Sequence, residues 1–105
     1  MALVFIDGRN VQRSQWPNLS DKELVERVRE WAERHGHETV IVFDGTAPAG
    51  AIGSGPETAD DWLIREVPKH PGAWLVTSDR ALRDAAAVNA ARVIGGGGFL
   101  EELEK

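Results

Sequence analysis

Apolar positions along the chain follow two kinds of pattern. Residues 2–6 (ALVFI) and 39–43 (TVIVF) are short, nearly continuous apolar runs rich in β-branched side chains, and Asp-Gly follows each. Runs of this length and composition predict strands buried on both faces, as in parallel sheets. Residues 73–77 (AWLVT), which lead into Ser78-Asp79, and residues 91–94, which lead into glycines, predict two more. Between the runs the spacing turns helical. Ser20 and Glu23 form a capping box, Leu19 and Leu24 a hydrophobic staple, and Leu24, Val25, Val28, Trp31 and Ala32 an apolar stripe that stops at Gly36. A second helix is predicted from Thr58 to before Pro68 on the stripe Ala59, Leu63, Val67, and a third over residues 80–88 with Asn89 in the closing left-handed position. Residues 47–56 (APAGAIGSGP) read as a mobile loop, and residues 95–98 as a glycine tether into a last helical turn carrying Phe99, Leu100 and Leu103.

The resulting order, βαβαβαβ, implies right-handed crossovers and an α/β fold with a mostly parallel central sheet between helical layers. In such sheets the ligand crevice lies outside the carboxyl ends of the strands. A length of 105 residues fits one domain over 1–105, so any active site must sit on a single core. The absence of cysteine removes disulfides, thiolate metal sites and cysteine nucleophiles, and fits a reducing compartment. Neither a signal segment nor an apolar run of about 18 residues is present, which predicts a soluble, cytoplasmic protein without a membrane partner. The net charge of −5 argues against holding nucleic acid by an overall positive field. It does not argue against a nuclease, because acids gathered at a metal site lower the charge of the metal-free chain and a bound cation reverses the sign locally.

Asp7, Asp44 and Asp79 each fall at or just after the end of a predicted strand, at one end of the sheet. One strand-end Asp is an ordinary turn former or helix cap. Three at equivalent ends are costly, since like charges at about 4 Å repel by about 4 kcal/mol at an effective dielectric near 20. A divalent cation is the simplest compensation. Asp60 is the fourth member, in the first turn of the second helix and on a shared face with Ile64; Asp61 and Glu57 are supporting acids, Asp61 through a cap at Thr58 or a water beside the metal. Hard carboxylate oxygens suit magnesium or manganese (Mg²⁺ or Mn²⁺), and the chemistry expected is hydrolysis by a metal-activated water. Arg9, Arg13, Arg80 and Arg83 flank the predicted crevice as candidate phosphate contacts, with Ser54, Thr77 and Ser78 as candidate hydrogen-bond donors to substrate. Trp16 and Trp62 could stack bases, although packing is favoured for both, and Trp31 and Trp74 are expected in the core.

Four blocks, Asp7-Gly8-Arg9-Asn10, Phe43-Asp44-Gly45, Gly53 through Asp61 (GSGPETADD) and Val76-Thr77-Ser78-Asp79-Arg80, resemble in order those of NYN-domain nucleases of the PIN-like superfamily, with the strongest likeness to the bacterial YacP-like branch. The resemblance covers nearly the whole chain from Leu3 to Phe99. It implies a three-layer α/β/α PIN-like, Rossmann-like fold and a Mg²⁺- or Mn²⁺-dependent endoribonuclease acting on RNA. By motif match it makes Asp7, Asp44, Asp60 and Asp79 the acidic site and Asn10 a supporting residue. Arg9 stands where the family commonly has an aromatic residue, and the chain is shorter than typical YacP-like proteins, chiefly in residues 47–56 and at the C-terminus.

Two other readings share these residues. A catalytically weak or inactive RNA-binding or protein-interaction module would keep the fold and lose turnover. A small-molecule phosphohydrolase would use the same metal chemistry, but its phosphotransferase version needs two acids flanking one residue after the first strand, and Asp7-Gly8-Arg9 supplies only the first.

Overall fold

The strand Leu3–Asp7 (β1) sends Val4 and Ile6 to one side of the sheet and Phe5 to the other, and all three are buried. This two-sided burial is what a continuous apolar run requires. In the computed structural model, which describes residues 1–105, β1 is the centre of a five-stranded, all-parallel sheet of order β3-β2-β1-β4-β5. Its other strands are Glu38–Phe43 (β2), Ile52–Gly53 (β3), Trp74–Val76 (β4) and Arg92–Ile94 (β5). Val4, Ile6, Val11, Leu24, Trp31 and Phe99 fill the core under Gly8–Arg13 (α1), Asp21–His35 (α2) and Gly96–Leu103 (α5). On the opposite face Phe5, Val42, Leu63 and Leu82 pack under Ala59–Glu66 (α3) and Arg80–Ala86 (α4). The architecture is therefore the expected three-layer α/β/α, with a sheet that is wholly parallel. No helix is long and apolar enough to cross a membrane.

Register decides where the chemistry falls. Asp7 pairs across from Val42, and Ile6 across from Val76, so Asp7, Asp44 and Thr77 emerge at the same edge of the sheet. Asp7 also shares the side-chain parity of Phe5, which directs it toward the α3–α4 layer.

The boundaries of α2 follow its local signals. The Ser20 hydroxyl oxygen accepts the Glu23 backbone N–H at 3.1 Å, and Gly36 ends the helix at φ 70°. The capping box closes differently from the standard form: the Ser20 hydroxyl donates to the Glu23 carboxylate at 3.2 Å. Elsewhere the chain departs from the predicted elements. The six-residue α1 follows directly from β1, and α3 stops at Glu66, continuing as a single 3₁₀ turn, Val67–Lys69. Helix α4 ends at Ala86, and Asn89 is not left-handed, because no residue other than glycine has positive φ.

Residues 47–56 are also more ordered than a free loop. They contain β3, and beyond it Ser54 and Gly55 donate backbone N–H groups to the Phe43 and Gly45 carbonyls at 2.9 and 3.0 Å. Gly53 makes this pairing possible, since a Cβ there would lie 2.9 Å from Thr46 Cα and closer still to the Gly45 carbonyl oxygen. Replacing Gly by Ala ordinarily stabilises by about 0.4–1 kcal/mol through the unfolded chain. Overpacking against backbone costs about 1–3 kcal/mol. Gly53→Ala is therefore expected to lower stability in urea unfolding, and a gain in midpoint would show that the β2–β3 approach yields freely.

Candidate active site

Each carboxylate reaches the cleft by a different local device. Asp7 is the last residue of β1 and only 6% exposed, with its Oδ2 accepting from the Thr77 hydroxyl at 3.0 Å. Asp44 follows β2, and its Oδ1 accepts the Ala59 backbone N–H at 2.8 Å, at the start of α3. Asp79 caps α4, its Oδ1 accepting from Leu82 N–H at 3.0 Å. Asp60 sits in the first turn of α3, where Thr58 rather than Asp60 forms the cap by accepting the Asp61 N–H at 3.1 Å. The four acids line one cleft of about 320 Å³ with Arg9, Asn10, Arg13 and Thr58, and no apolar residue is among them. A larger hollow of about 450 Å³ runs along α2 and includes Val25, Ala32, His37 and Thr39; it holds a single carboxylate, Glu33, and no comparable chemistry.

Burial raises the Asp7 pKa to about 6, the charges of Asp60 and Asp44 adding to it and the Thr77 hydrogen bond opposing it. Asp60 is also raised, by burial and then by the charges of Asp79, Asp44 and Asp61. The cleft thus concentrates negative charge that its own hydrogen bonds do not neutralise.

The donor set fits a hydrated divalent cation. Asp7, Asp44 and Asp79 each have one oxygen held by a hydrogen bond, which orients the carboxylate and leaves the second oxygen for a ligand. As the side chains stand, no three acidic or histidine groups close on a point that could hold a metal ion. Mg²⁺ keeps several waters and takes one or two carboxylates directly, so a closed cage is not required.

The remaining predicted site residues divide by their contacts. Asn10 lines the cleft and its Oδ1 accepts the Ser78 N–H at 2.8 Å, while the Ser78 hydroxyl oxygen accepts the Gly96 N–H at 2.8 Å, so the pair ties α1, the end of β4 and the start of α5 together. Arg9 also lines the cleft, but its Nη1 donates to Asp21 at 2.8 Å and Gln12 at 2.9 Å, and its guanidinium lies over the Phe43 ring at 5.0 Å. This cation is held by an internal network. Arg13 lines the cleft and forms no ion pair.

Several expectations are corrected by placement. Ser54 is buried, its hydroxyl donating to the Glu57 carbonyl at 2.6 Å and accepting the Gly45 N–H at 3.2 Å, so it shapes the β2–α3 connection and offers no substrate donor. The Glu57 carboxylate pairs with Arg65, which also lowers its pKa, and lies outside the cleft. Asp61 is exposed and likewise absent from the lining, and it takes the other role expected of it, the cap through Thr58. Arg80 and Arg83 follow Asp79 without lining the cleft, and Arg83 Nε is buried without a partner. The packing favoured for Trp16 does not occur, since its side chain is exposed, while Trp62 packs against Phe5 and Trp31 fills the core.

Two residues were not singled out for the roles they take. Thr77 is fully buried, donates to Asp7, and accepts the Asp79 N–H at 3.1 Å, joining two cleft acids through one hydroxyl. Gln12, also buried, helps hold Asp21 and Arg9.

Solved structures share this arrangement of elements. A single-residue variant of Rae1 (YacP) from Bacillus subtilis superposes with a TM-score of 0.81 over 99% of this chain and 76% of that one, at 23% identity. A second structure of Rae1 (YacP) from Bacillus subtilis gives 0.75 over 99% and 74%, at 17% identity. The fold is YacP-like. At these identities the likeness concerns the fold, and neither a family model nor a curated protein sequence matches the chain.

Proposed function

We propose that the protein is a Mg²⁺- or Mn²⁺-dependent endoribonuclease. The observation that carries this reading is the convergence of Asp7, Asp44, Asp60 and Asp79 on one wholly polar cleft, at the carboxyl end of a parallel sheet of YacP-like fold. The choice of RNA over a small phosphoester rests on the four ordered sequence blocks that resemble NYN nucleases. When bound, a divalent cation supplies the charge that draws in the phosphodiester and lowers the pKa of an attacking water.

The chain's own groups supply orientation. Thr77, the N–H of Ala59 and the N–H of Leu82 each fix one oxygen of a carboxylate, so three of the acids are held before substrate arrives. Arg13 offers a phosphate contact at the cleft, and Asn10 holds the Ser78 turn against α1. Water adds to phosphorus as the P–O3′ bond breaks, giving a 5′-phosphate and a 3′-hydroxyl, the ends that the NYN resemblance implies.

The test is cleavage of a labelled RNA beside a generic phosphoester. Cleavage in Mn²⁺ or Mg²⁺, loss of it in excess chelator, and 5′-phosphate ends are expected. Equal cleavage in chelator would reject the metal mechanism, and cyclic phosphate ends would indicate attack by the RNA 2′-hydroxyl. Turnover of the phosphoester alone would move the protein to the phosphohydrolases.

A further inference from the structure

Trp16 is 89% exposed, whereas Trp31 is buried and Trp62 and Trp74 are half-buried against neighbours. Covering an indole normally stabilises a small domain, and nothing in this chain covers this one. Its backbone is nevertheless anchored on both sides. Ser14 donates its hydroxyl to the Asn10 carbonyl at 2.8 Å and its N–H to the Val11 carbonyl at 3.1 Å. On the other side Leu19 is buried in the core and Ser20 caps α2. The Trp16 indole is thus presented outward from a short, tethered connection, a placement suited to receiving a flat partner.

Its neighbour in the chain identifies that partner. Arg13, the last residue of α1, lines the acidic cleft and forms no ion pair, whereas Arg9, the other cation of the lining, is tied to Asp21. Two residues, Ser14 and Gln15, separate Arg13 from Trp16, which limits their Cα atoms to about 11 Å apart. A cation at the cleft with an exposed π-face within that reach matches a nucleic-acid strand, phosphate on one and base on the other. Bases in a duplex are already stacked and cannot lie on the indole.

We infer that Trp16 is a base-stacking platform beside the cleft and that, with Arg13, it selects single-stranded RNA. This rests on the nuclease reading above and adds the form of the substrate and the place where a flanking base is held.

The experiment compares the parent with Trp16→Ala and Trp16→Tyr on a labelled single-stranded RNA and on the same sequence as a duplex, in Mn²⁺. Trp16→Ala is expected to raise KM for the single strand roughly tenfold or more, the size of effect that follows removal of one stacking aromatic, with kcat within about twofold. Trp16→Tyr should recover most of the loss, and the duplex should respond to neither substitution. Melting temperature should stay at the parent value, because the indole is exposed. Titrating single-stranded RNA should quench the parent's tryptophan emission, and this quench should be absent in Trp16→Ala. An unchanged KM and quench in Trp16→Ala, with a parent that cleaves RNA, would overturn the stacking role and leave the nuclease reading standing. A change in sedimentation without a change in KM would overturn it in favour of a protein contact. A parent that neither cleaves nor is quenched by RNA would overturn both.

Discussion

Asp7→Asn is expected to slow RNA cleavage about 10²- to 10³-fold while making the metal-free protein more stable at pH 8, by on the order of 2 kcal/mol. Both effects follow from one placement. Burial lifts the Asp7 pKa from 3.8 to about 6, and two units of raised pKa correspond to about 3 kcal/mol of penalty on the ionised form, of which an imperfectly satisfied amide gives back about 1. The sign is fixed by proton uptake. Between about pH 4 and 6 the folded protein keeps the Asp7 proton that the unfolded chain has lost, so stability falls as pH rises through that window and the full penalty is present above it. Asparagine carries no such penalty. The variant's advantage should therefore be greatest above pH 6 and be lost near pH 4, where only the amide's cost of about 1 kcal/mol remains and the parent is the more stable. Asp60 shifts in the same direction and remains in both proteins, and its repulsion of Asp7 is already counted among the causes of the Asp7 shift. Mn²⁺ should reverse the order, because a cation that binds only the native state stabilises the parent more than a variant lacking one ligand. In rate, loss of one oriented charged group is expected to cost about 10² to 10³. Urea unfolding of both proteins at pH 4, 6 and 8, with chelator and with Mn²⁺, checks the prediction; a variant less stable than the parent at pH 8 in chelator would show that Asp7 supports the fold rather than the site.

The ease of reading this protein from its sequence varied with the range of the interactions involved. The four longer strands were legible because burial on both faces leaves a continuous apolar run, and α2 because its cap, stripe and glycine stop are all local. Helix α1 was not, since only Val11 among its six residues is a buried apolar side chain of any size and no stripe forms. Strand β3 was hidden for a related reason: it has two residues, both exposed, and it exists through backbone pairing to β2 and the room left by Gly53. The acids could be placed at one cleft because parallel topology puts strand ends together. Their hydrogen-bond partners could not. Arg9 reaches Asp21, and Thr77 reaches Asp7 across 70 residues, through tertiary contacts that no spacing announces. Glu57 and Arg65 likewise pair along a helix, which took away from the cleft an acid that its position beside Asp60 had assigned to it.

Thr77→Val should weaken cleavage and shift its acid limb to higher pH, while Thr77→Ser should restore both. The threonine hydroxyl is fully buried and bonded on both sides, donating to Asp7 Oδ2 at 3.0 Å and accepting from Asp79 N–H at 3.1 Å. Valine matches its shape but removes both bonds, leaving a buried carboxylate without its donor and an amide without its acceptor, at a cost of about 1–3 kcal/mol. That cost depends on pH. The bond from Thr77 lowers the Asp7 pKa against the effect of burial, so its loss raises the folded pKa above about 6 and enlarges the penalty on the ionised form. Thr77→Val should accordingly lose more stability at pH 8 than at pH 4, where Asp7 keeps its proton in the folded chain of parent and variant alike. If the ionised carboxylate is the form that serves cleavage, kcat/KM for RNA against pH, at fixed Mn²⁺, should show the acid limb displaced upward in the valine variant and near the parent position in the serine variant. A purely structural role for Thr77 predicts lower amplitude with the limb in place. An unmoved limb in Thr77→Val, together with equal stability losses at pH 4 and pH 8, would remove Thr77 as the group that positions and tunes Asp7.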